Sequence, residues 1–133
     1  MDIITRAMIF ESNSTFQEII KNIFSSRFPS VELLAVSDAM RAMEKVEGFL
    51  PDLILIDLRL SGDNALDLTR KIKTSHPEAT VIFLCSHDMP EYRETASRCG
   101  ADYFMVKESP AGDYIALIES ILSGEGHPME NTT

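Results

Sequence analysis

One acidic residue stands at the end of a strongly apolar stretch of the sequence. In the run LPDLILIDLRLSG, at residues 50–62, an unbroken aliphatic segment at 53–56 leads directly to Asp57. An apolar segment that ends in a charge is either a strand that reaches the surface or a strand that delivers a reactive group. Taken alone, an aspartate after a strand more often forms a turn than takes part in chemistry. The polar residues that follow the other apolar segments decide between the two interpretations.

Polar groups follow other apolar segments in the same way: Glu11-Ser12, Ser86 and Lys107. In an open α/β sheet, ligands bind beyond the carboxyl ends of the strands. At that edge, acids bind Mg²⁺ or accept phosphate, while a hydroxyl and an ammonium group hold phosphate oxygens. Each residue also has an ordinary interpretation as a turn or surface residue. Those separate interpretations, however, would not require all of these residues to lie at the same edge of the sheet. The set therefore predicts a phosphoryl site.

The strands that must position these groups are short runs rich in Ile, Val, Leu and Phe. Each is four to six residues long and nearly apolar on both faces, which is typical of a strand covered by helices on both sides. The predicted strands span residues 6–10, 31–36, 53–57, 80–85 and 103–106.

Between the strands lie amphipathic segments with recognisable caps, which predict five helices. Gly48 with Pro51 should end the second helix, and Gly100 the fourth. The predicted starts are a capping box of Ser14 with Gln17, then Ser37, then Asp63 or Asn64, then Asp88 with Glu91 and Pro90, and finally Ser109-Pro110.

Five strand–helix units in series predict one parallel sheet with helices on both faces, a flavodoxin-like (βα)5 doubly wound α/β fold. We expect a single domain over residues 1–125. Residues 126–133 are polar and predict a flexible C-terminal tail or the start of a linker.

Composition narrows the functional classes. The formal net charge of −9 opposes direct binding of nucleic acid, which needs clustered cations. No apolar run approaches the roughly 18 residues of a membrane span, and the N-terminus lacks a signal-peptide pattern. Cys85 and Cys99 lie in predicted elements and are expected to be buried and reduced. We therefore expect a cytoplasmic protein that contacts neither membrane nor nucleic acid through this domain.

Several segments together resemble a known family, the two-component response-regulator receiver domains. PDLILIDLRLSGDNALDLTRKIK at 51–73 is similar to the family's phosphorylation segment, and VIFLCS at 81–86 and GADYFMVKESP at 100–110 are similar to its fourth and fifth strands. The similarity runs from about Arg6 to Glu125. SPAGDYIALIESILSGE at 109–125 is most similar to the NarL/FixJ-like subfamily, whose members usually continue into a helix-turn-helix domain that regulates transcription.

The resemblance implies a role for each of the polar residues at this edge of the sheet. Asp57 would be the phosphoacceptor for a sensor histidine kinase, Ser86 would contact the phosphoryl group, and Lys107 would neutralise it. Phe104, three residues before Lys107, occupies the position of the family's switch aromatic. Inward movement of Ser86 would let Phe104 rotate into the space behind it and change the protein's contacts, which is a population shift between two packings.

The resemblance also implies a Mg²⁺ site formed by Glu11, Ser12, Asp57 and the backbone carbonyl of Arg59. The family pattern has two acids at the end of the first strand, whereas this sequence has Glu11-Ser12. Because a serine hydroxyl is a weak ligand for Mg²⁺, we expect weak metal binding.

Two milder departures from the family pattern lie beside the predicted site. Ser61 replaces the usual proline after the phosphoacceptor, and His87 replaces a small residue after Ser86. The His87 imidazole would restrict access to the phosphoryl group.

Two functions from different classes remain open. One is a receiver that accepts phosphate on Asp57, switches protein contacts and self-associates as a homodimer, with Tyr114 or its exposed neighbours contributing. Such a protein is no enzyme beyond Mg²⁺-dependent self-phosphorylation and autodephosphorylation. The other is a degenerate receiver that acts as an interaction module without phosphorylation, for which Ser12 is the evidence.

Enzymes on similar sheets are disfavoured. The segment ESNST at 11–15 is hydroxyl-rich like a flavin phosphate loop, but it lacks glycine, and the sequence has no tryptophan for the ring. A haloacid-type phosphatase would need a second aspartate where Arg59 stands.

Overall fold

The computed structural model describes residues 6–60 and 64–128. Within these residues, strands and helices alternate strictly, as predicted. The elements are β1 Arg6–Phe10, α1 Ser14–Arg27, β2 Glu32–Val36, α2 Ala42–Phe49, β3 Leu53–Asp57, α3 Ala65–Ser75, β4 Thr80–Cys85, α4 Pro90–Arg98, β5 Tyr103–Val106 and α5 Ala111–Leu122.

The strands form one parallel sheet in the order β2-β1-β3-β4-β5. This confirms the predicted flavodoxin-like α/β fold. The order reverses at β1, which pairs with β2 on one side and β3 on the other. A crevice therefore opens where the carboxyl ends of β1 and β3 diverge, the usual ligand position in such sheets.

Alternate residues of the strands enter two separate cores, one on each face of the sheet. Met8 and Phe10 of β1 pack with α2, α3 and α4, whereas Ala7 and Ile9 pack with α1 and α5. β3 is buried along its whole length, which explains its continuous apolar run. The last residue of that buried strand is Asp57, so the sheet holds this carboxylate at its carboxyl edge.

The second strand differs from its prediction. β2 begins at Glu32 and alternates between exposed and partly buried residues before Val36, so it is not covered on both faces. Its position at the edge of the sheet is the reason, since an edge strand has a neighbour on one side only. An apolar run alone does not distinguish an edge strand from a central one.

The predicted capping box of α1 is wrong. Asn13 is the N-cap, and its Oδ1 accepts a hydrogen bond from the Phe16 amide at 3.0 Å. The Asn13 amide itself donates to Glu11 Oε1 at 3.1 Å, which is the role that the box had given to Gln17. Gln17 instead donates its side-chain amide to the carbonyl of Glu11.

The predicted start of α2 at Ser37 is also wrong, because the helix begins at Ala42. Asp38 Oδ1 accepts the Met40 amide at 2.8 Å, so this carboxylate forms a local turn that competes with helix formation. Arg41 then adopts a left-handed conformation, φ 53°, immediately before the helix. Leu50 rather than Gly48 adopts the left-handed conformation at the end of α2.

The remaining helix starts are closer to prediction. Asn64 caps α3 by accepting the Leu66 amide at 2.7 Å, while Asp63, the alternative cap, lies outside the described residues. Pro90 opens α4, but Asp88 does not cap it and pairs with Arg93 instead.

The last helix and the residues that follow it lie close to their predicted bounds. α5 begins one residue after Pro110. After α5, the amides of Glu125 and Gly126 both donate to the Ser120 carbonyl, so the start of the predicted tail folds back on the domain. The predicted boundary at 125/126 stays a prediction.

Two composition-based expectations can be compared with the structure. Cys85 and Cys99 are both free thiols and both buried, as predicted. Among the described residues, none of the helices is long and apolar enough to cross a bilayer.

Candidate functional site

The charged groups of Glu11, Asp57 and Lys107 meet in the crevice at the carboxyl edge of the sheet. Glu11 follows β1, Asp57 ends β3, and Lys107 follows β5. Lys107 Nζ lies 2.8 Å from Glu11 Oε1 and 3.4 Å from Asp57 Oδ2. The sequence separations are 96 and 50 residues, so only the parallel sheet brings these groups together. One cation thus faces two carboxylates.

Glu11 is fully buried, and one of its oxygens carries no hydrogen bond. Its Oε1 accepts from Lys107 and from the Asn13 amide, whereas Oε2 is buried without a partner. Burial raises the pKa of Glu11, and the Lys107 and Asn13 hydrogen bonds oppose that rise, while the nearby Asp57 charge adds to it. The net shift is upward, so this carboxylate is held in its charged form at a cost.

Asp57 is 4% exposed, and each of its carboxylate oxygens has a defined neighbour. Oδ1 accepts the amide of Arg59 at 3.1 Å, and Oδ2 faces Lys107. The Asp57 carbonyl accepts the Leu60 amide at 3.1 Å, which closes a turn directly after the strand. The side chain is therefore fixed in the crevice although it follows an apolar run.

Two aromatic residues from different helices hold Lys107 in place. Phe16 of α1 lies under the ammonium group, with 4.9 Å between Lys107 Nζ and the ring centroid. The Tyr114 hydroxyl of α5 is 3.1 Å from the carbonyls of Val106 and Lys107 and donates its one proton to either. The two rings meet edge-on, 6.0 Å apart between centroids.

The electrostatics of Lys107 follow from the same neighbours. Burial lowers the pKa of the Lys107 ammonium, but the hydrogen bond that it donates to Glu11 and the charges of Asp57 and Glu11 outweigh it, so the net shift is upward. In this crevice the protonated form is therefore favoured, relative to water, at both Glu11 and Lys107.

Other predicted site residues occupy different positions. Ser86 is half-buried and lines a groove of about 340 Å³ that it shares with Lys107, Phe16 and Ile19. Ser12 is exposed, unlike the buried Glu11 beside it.

Arg59, whose carbonyl was predicted to bind Mg²⁺, donates its backbone amide to Asp57 and has an exposed side chain. His87 is exposed, and Ser61 lies outside the described residues.

Phe104 points away from the phosphoryl site, into the core beneath α4. It is 8% exposed and packs with Phe83, its cross-strand neighbour on β4, and with Ala96 of α4. The predicted switch aromatic is therefore inward in this structure. Tyr114 is also buried, so the expectation that this residue contributes to a self-association surface is wrong.

Sequence reasoning did not find Asn13, Phe16, Gln17 or Arg93 as site neighbours. Gln17 Nε2 contacts the Glu11 carbonyl and lies 3.4 Å from Ser37 Oγ, which joins α1 to the loop after β2. The available signal was the cluster of polar residues before α1, in which two adjacent residues, Asn13 and Ser14, both suit an N-cap. The aromatic contact to Lys107 spans helices and leaves no local pattern.

Comparison with known proteins identifies the class. The response regulator receiver domain model matches residues 7–119. The chain therefore belongs to the response regulator receiver family of two-component systems.

Two curated regulators illustrate the relationship. Transcriptional regulatory protein DegU of Brevibacillus brevis is 29% identical over 118 residues, which cover 88% of this chain and 50% of DegU. Oxygen regulatory protein NreC of Staphylococcus aureus strain JH9 is 32% identical over 106 residues, 77% of this chain and 49% of NreC. The chain thus spans about half the length of these relatives. They support the predicted NarL/FixJ-like subfamily.

Solved structures agree with the fold. The signal receiver domain of the DNA-binding response regulator merR from Colwellia psychrerythraea 34H superposes with a TM-score of 0.84 at 16% identity, covering 90% of this chain and 98% of that one. A LuxR-family two-component response regulator from Aurantimonas sp. SI85-9A1 gives a TM-score of 0.80 at 23% identity, covering 97% of this chain and 91% of that one.

Receiver domains generally bind Mg²⁺ at the phosphorylation site, so the crevice can be tested for its fit to that ion. The unpartnered Glu11 Oε2 and the Asp57 carboxylate are suitable oxygen ligands. Within residues 6–60 and 64–128, however, no group of three or more His, Cys, Asp or Glu side chains is arranged to hold a metal. Glu11 and Asp57 can therefore serve as ligands for Mg²⁺, but the site has one carboxylate fewer than the family pattern.

Proposed function

We propose that this receiver accepts a phosphoryl group on Asp57 from a sensor histidine kinase. The observation that carries the proposal is the fixed Asp57 carboxylate at the switch point of the sheet, faced by Lys107 at 3.4 Å. A buried carboxylate with an adjacent ammonium group suits phosphoryl transfer, where positioning and charge neutralisation supply most of the catalysis.

The proposed step is a transfer from phosphohistidine to carboxylate. An oxygen of Asp57 forms a bond to phosphorus as the phosphorus–nitrogen bond of the kinase phosphohistidine breaks. The imidazole leaves with the electron pair and takes up a proton, so an acyl phosphate remains on Asp57. The phosphoryl group carries a charge of about −1.5 to −2, which replaces the single charge of the Asp57 carboxylate, and its oxygens compete with Glu11 Oε1 for the Lys107 ammonium.

We propose that Mg²⁺ is held weakly by Glu11, Asp57 and the Arg59 carbonyl. When bound, the ion would supply positive charge that offsets the charge of the phosphoryl oxygens. Ser12 contributes a neutral hydroxyl at the position where the family pattern has an acid, which is the reason for weak binding.

The proposal is tested with a small phosphodonor. The protein is incubated with acetyl phosphate and Mg²⁺, and modification is measured by intact mass. We expect modified wild type and no modification of Asp57→Asn, while the control Asp67→Asn, at an exposed position on α3, should behave as wild type. Modification that persists in Asp57→Asn would place the phosphoacceptor elsewhere.

A second candidate function is a receiver that acts without phosphorylation. One observation favours it: Ser12 supplies no carboxylate where the family pattern has an acid. In this case wild type stays unmodified at saturating Mg²⁺, whereas Ser12→Asp is modified. That pair of results would replace the first proposal with the second.

We further propose that the domain is not an enzyme beyond self-phosphorylation and autodephosphorylation, and that it acts in the cytoplasm through protein contacts. Receivers generally interact with sensor histidine kinases.

For a homodimer, the half-buried Ile115, Leu117 and Leu122 of α5 are candidates for the interface. Sedimentation with and without beryllofluoride tests this, and a strict monomer at high concentration in both conditions would contradict it.

A further inference from the structure

The inward Phe104 ring is covered by a cation from α4. The guanidinium carbon of Arg93 lies 4.6 Å from the centroid of the Phe104 ring. This distance is within the range of a cation–π contact, and a planar guanidinium can also stack on the ring. Phe104 otherwise packs among apolar residues of β4 and α4. The side of the ring that would face solvent is therefore the side that Arg93 covers.

The same Arg93 is tied to the loop that carries Ser86. Its Nε donates to Asp88 Oδ1 at 2.6 Å, a short charge-assisted hydrogen bond. That hydrogen bond lowers the pKa of Asp88 below its usual value, although the carboxylate is exposed. Asp88 lies two residues after Ser86, between β4 and α4. Arg93 therefore joins the Phe104 ring to Asp88, which is two residues from Ser86 along the chain.

We propose that Arg93 is a positioning residue of the switch, which holds Phe104 inward by covering its ring and couples Phe104 to the Ser86 loop through Asp88. This inference rests on the proposed roles of Ser86 and Phe104 in the phosphorylation switch. It assigns a role to a residue that contacts neither Asp57 nor a phosphoryl group.

The size of the effect suits a switch. An exposed ion pair and a cation–π contact are each weak, yet a two-state equilibrium near balance responds to small differences. Loss of both contacts should change the ratio of inward to outward Phe104 by about three- to tenfold. If phosphorylation favours the inward ring, the same factor appears as weaker binding of a phosphoryl mimic, because the two equilibria are linked.

The test measures the ring in the ligand-free protein. With isotope-labelled phenylalanine, NMR contacts between the Phe104 ring and the side chains of Phe83 and Ala96 report the inward population. We expect Arg93→Ala to weaken these contacts, and Arg93→Lys to do so partly, because a lysine keeps the charge but not the planar group. Arg98→Ala is the matched control, since Arg98 lies on the same helix and pairs with Glu94.

Asp88→Asn separates the two parts of the proposal. This variant keeps the Arg93 side chain over Phe104 but removes the charge that ties it to the Ser86 loop. We expect a smaller loss of the inward ring than in Arg93→Ala. Ring contacts that are equal in Arg93→Ala and Arg98→Ala would overturn the proposal, and Asp88→Asn identical to wild type would overturn the coupling to Ser86.

A second measurement distinguishes this inference from the proposed function. Beryllofluoride titration in Mg²⁺ should show binding about three- to tenfold weaker in Arg93→Ala than in Arg98→Ala. If wild type binds no beryllofluoride, the phosphorylation proposal fails, while the ring contacts still decide whether Arg93 holds Phe104. If wild type binds it and both arginine variants bind equally, the role of Arg93 in the switch is wrong.

Discussion

Two poorly exposed lysines lie at opposite edges of the sheet, and their surroundings differ. At the amino-terminal edge, Lys73 Nζ donates to the carbonyls of Pro77 and Ala79, at 3.2 and 2.7 Å, and to Asp102 Oδ2 at 2.9 Å. These acceptors use its three protons. At the carboxyl edge, Lys107 faces two carboxylates, and Glu11 Oε2 beside it has no partner.

The two lysines differ in the charge balance around them. Asp102 Oδ2 also accepts the Val81 amide at 2.8 Å, so the Lys73 pair joins α3 to β4 and β5 with balanced charge. Around Lys107 the charge is unbalanced by one carboxylate, which leaves room for a cation or for a change of partner. Glu11 Oε2 is left without a hydrogen bond, a condition that buried structural groups normally avoid, which is why we propose the Lys107 crevice as the functional site.

The largest expected effect breaks the balanced pair. Lys73→Met leaves Asp102 without its cation in a partly buried position, with side-chain exposures of 18% and 22% for the two residues. We expect the free energy of unfolding to fall by about 3 kcal/mol. Urea denaturation measures it, with Lys71→Met on the exposed face of α3 as control. Equal losses in the two variants would mean that the Lys73 pair is not structural.

The second-largest expected effect comes from adding an acid near Lys107, which increases the excess of negative charge there. Ser12→Asp should bind Mg²⁺ about tenfold more tightly than wild type, or ~1.4 kcal/mol, because it restores the missing carboxylate. Without metal, the variant should melt at a lower temperature, since a third acid adds repulsion. Calorimetric Mg²⁺ titration and thermal melting test both, with Ser14→Asp as control. Equal Mg²⁺ affinities in wild type and Ser12→Asp would remove Ser12 from the metal position.

A smaller effect concerns the support of Lys107. Tyr114→Phe removes the hydroxyl that is 3.1 Å from two backbone carbonyls after β5 and keeps the ring packed against Phe16. We expect a loss of about 1 kcal/mol in unfolding free energy and slower modification of Asp57 by acetyl phosphate. Tyr92→Phe, at a half-buried tyrosine on α4, is the control. An unchanged modification rate would limit Tyr114 to a packing role.

The smallest effect is a pH dependence from Glu11. Its pKa is raised in the folded protein, chiefly by burial, so the contribution of Glu11 to stability is present below pH 4.5 and is lost as pH rises through the folded pKa. Glu11→Gln does not titrate, so its melting temperature relative to wild type should increase over that pH window. Melting from pH 4 to 8 measures this, with exposed Glu18→Gln as control. A constant difference across the window would contradict the upward shift.

Local patterns predicted part of this structure well. The strands β1, β3 and β4 follow from apolar runs, because a strand covered on both faces needs apolar side chains at every position. The starts of α1 and α2 were mispredicted where adjacent polar residues compete, as Asn13 with Ser14 and Ser37 with Asp38. Both side chains in each pair can bind a backbone amide, and the sequence does not state which one does.

The candidate site, too, was predicted only in part from the sequence. Glu11, Asp57, Ser86 and Lys107 were predicted together because parallel strands bring their carboxyl ends to one edge. The hydrogen bonds and ring contacts around them come from α1, α4 and α5, at distances along the chain that no short pattern records. Phe16 under Lys107 and Arg93 over Phe104 are such contacts.

The sequence by itself determined the order of the elements, the parallel sheet and the edge at which the charged groups of the candidate site gather, because hydrophobic periodicity and chain order are local properties. Only the tertiary structure decided which oxygen of Glu11 is left without a partner, which carboxylates share Lys107, and that Phe104 lies inward beneath Arg93. These outcomes depend on the relative positions of side chains from separate helices and strands. Packing of the whole domain sets those positions.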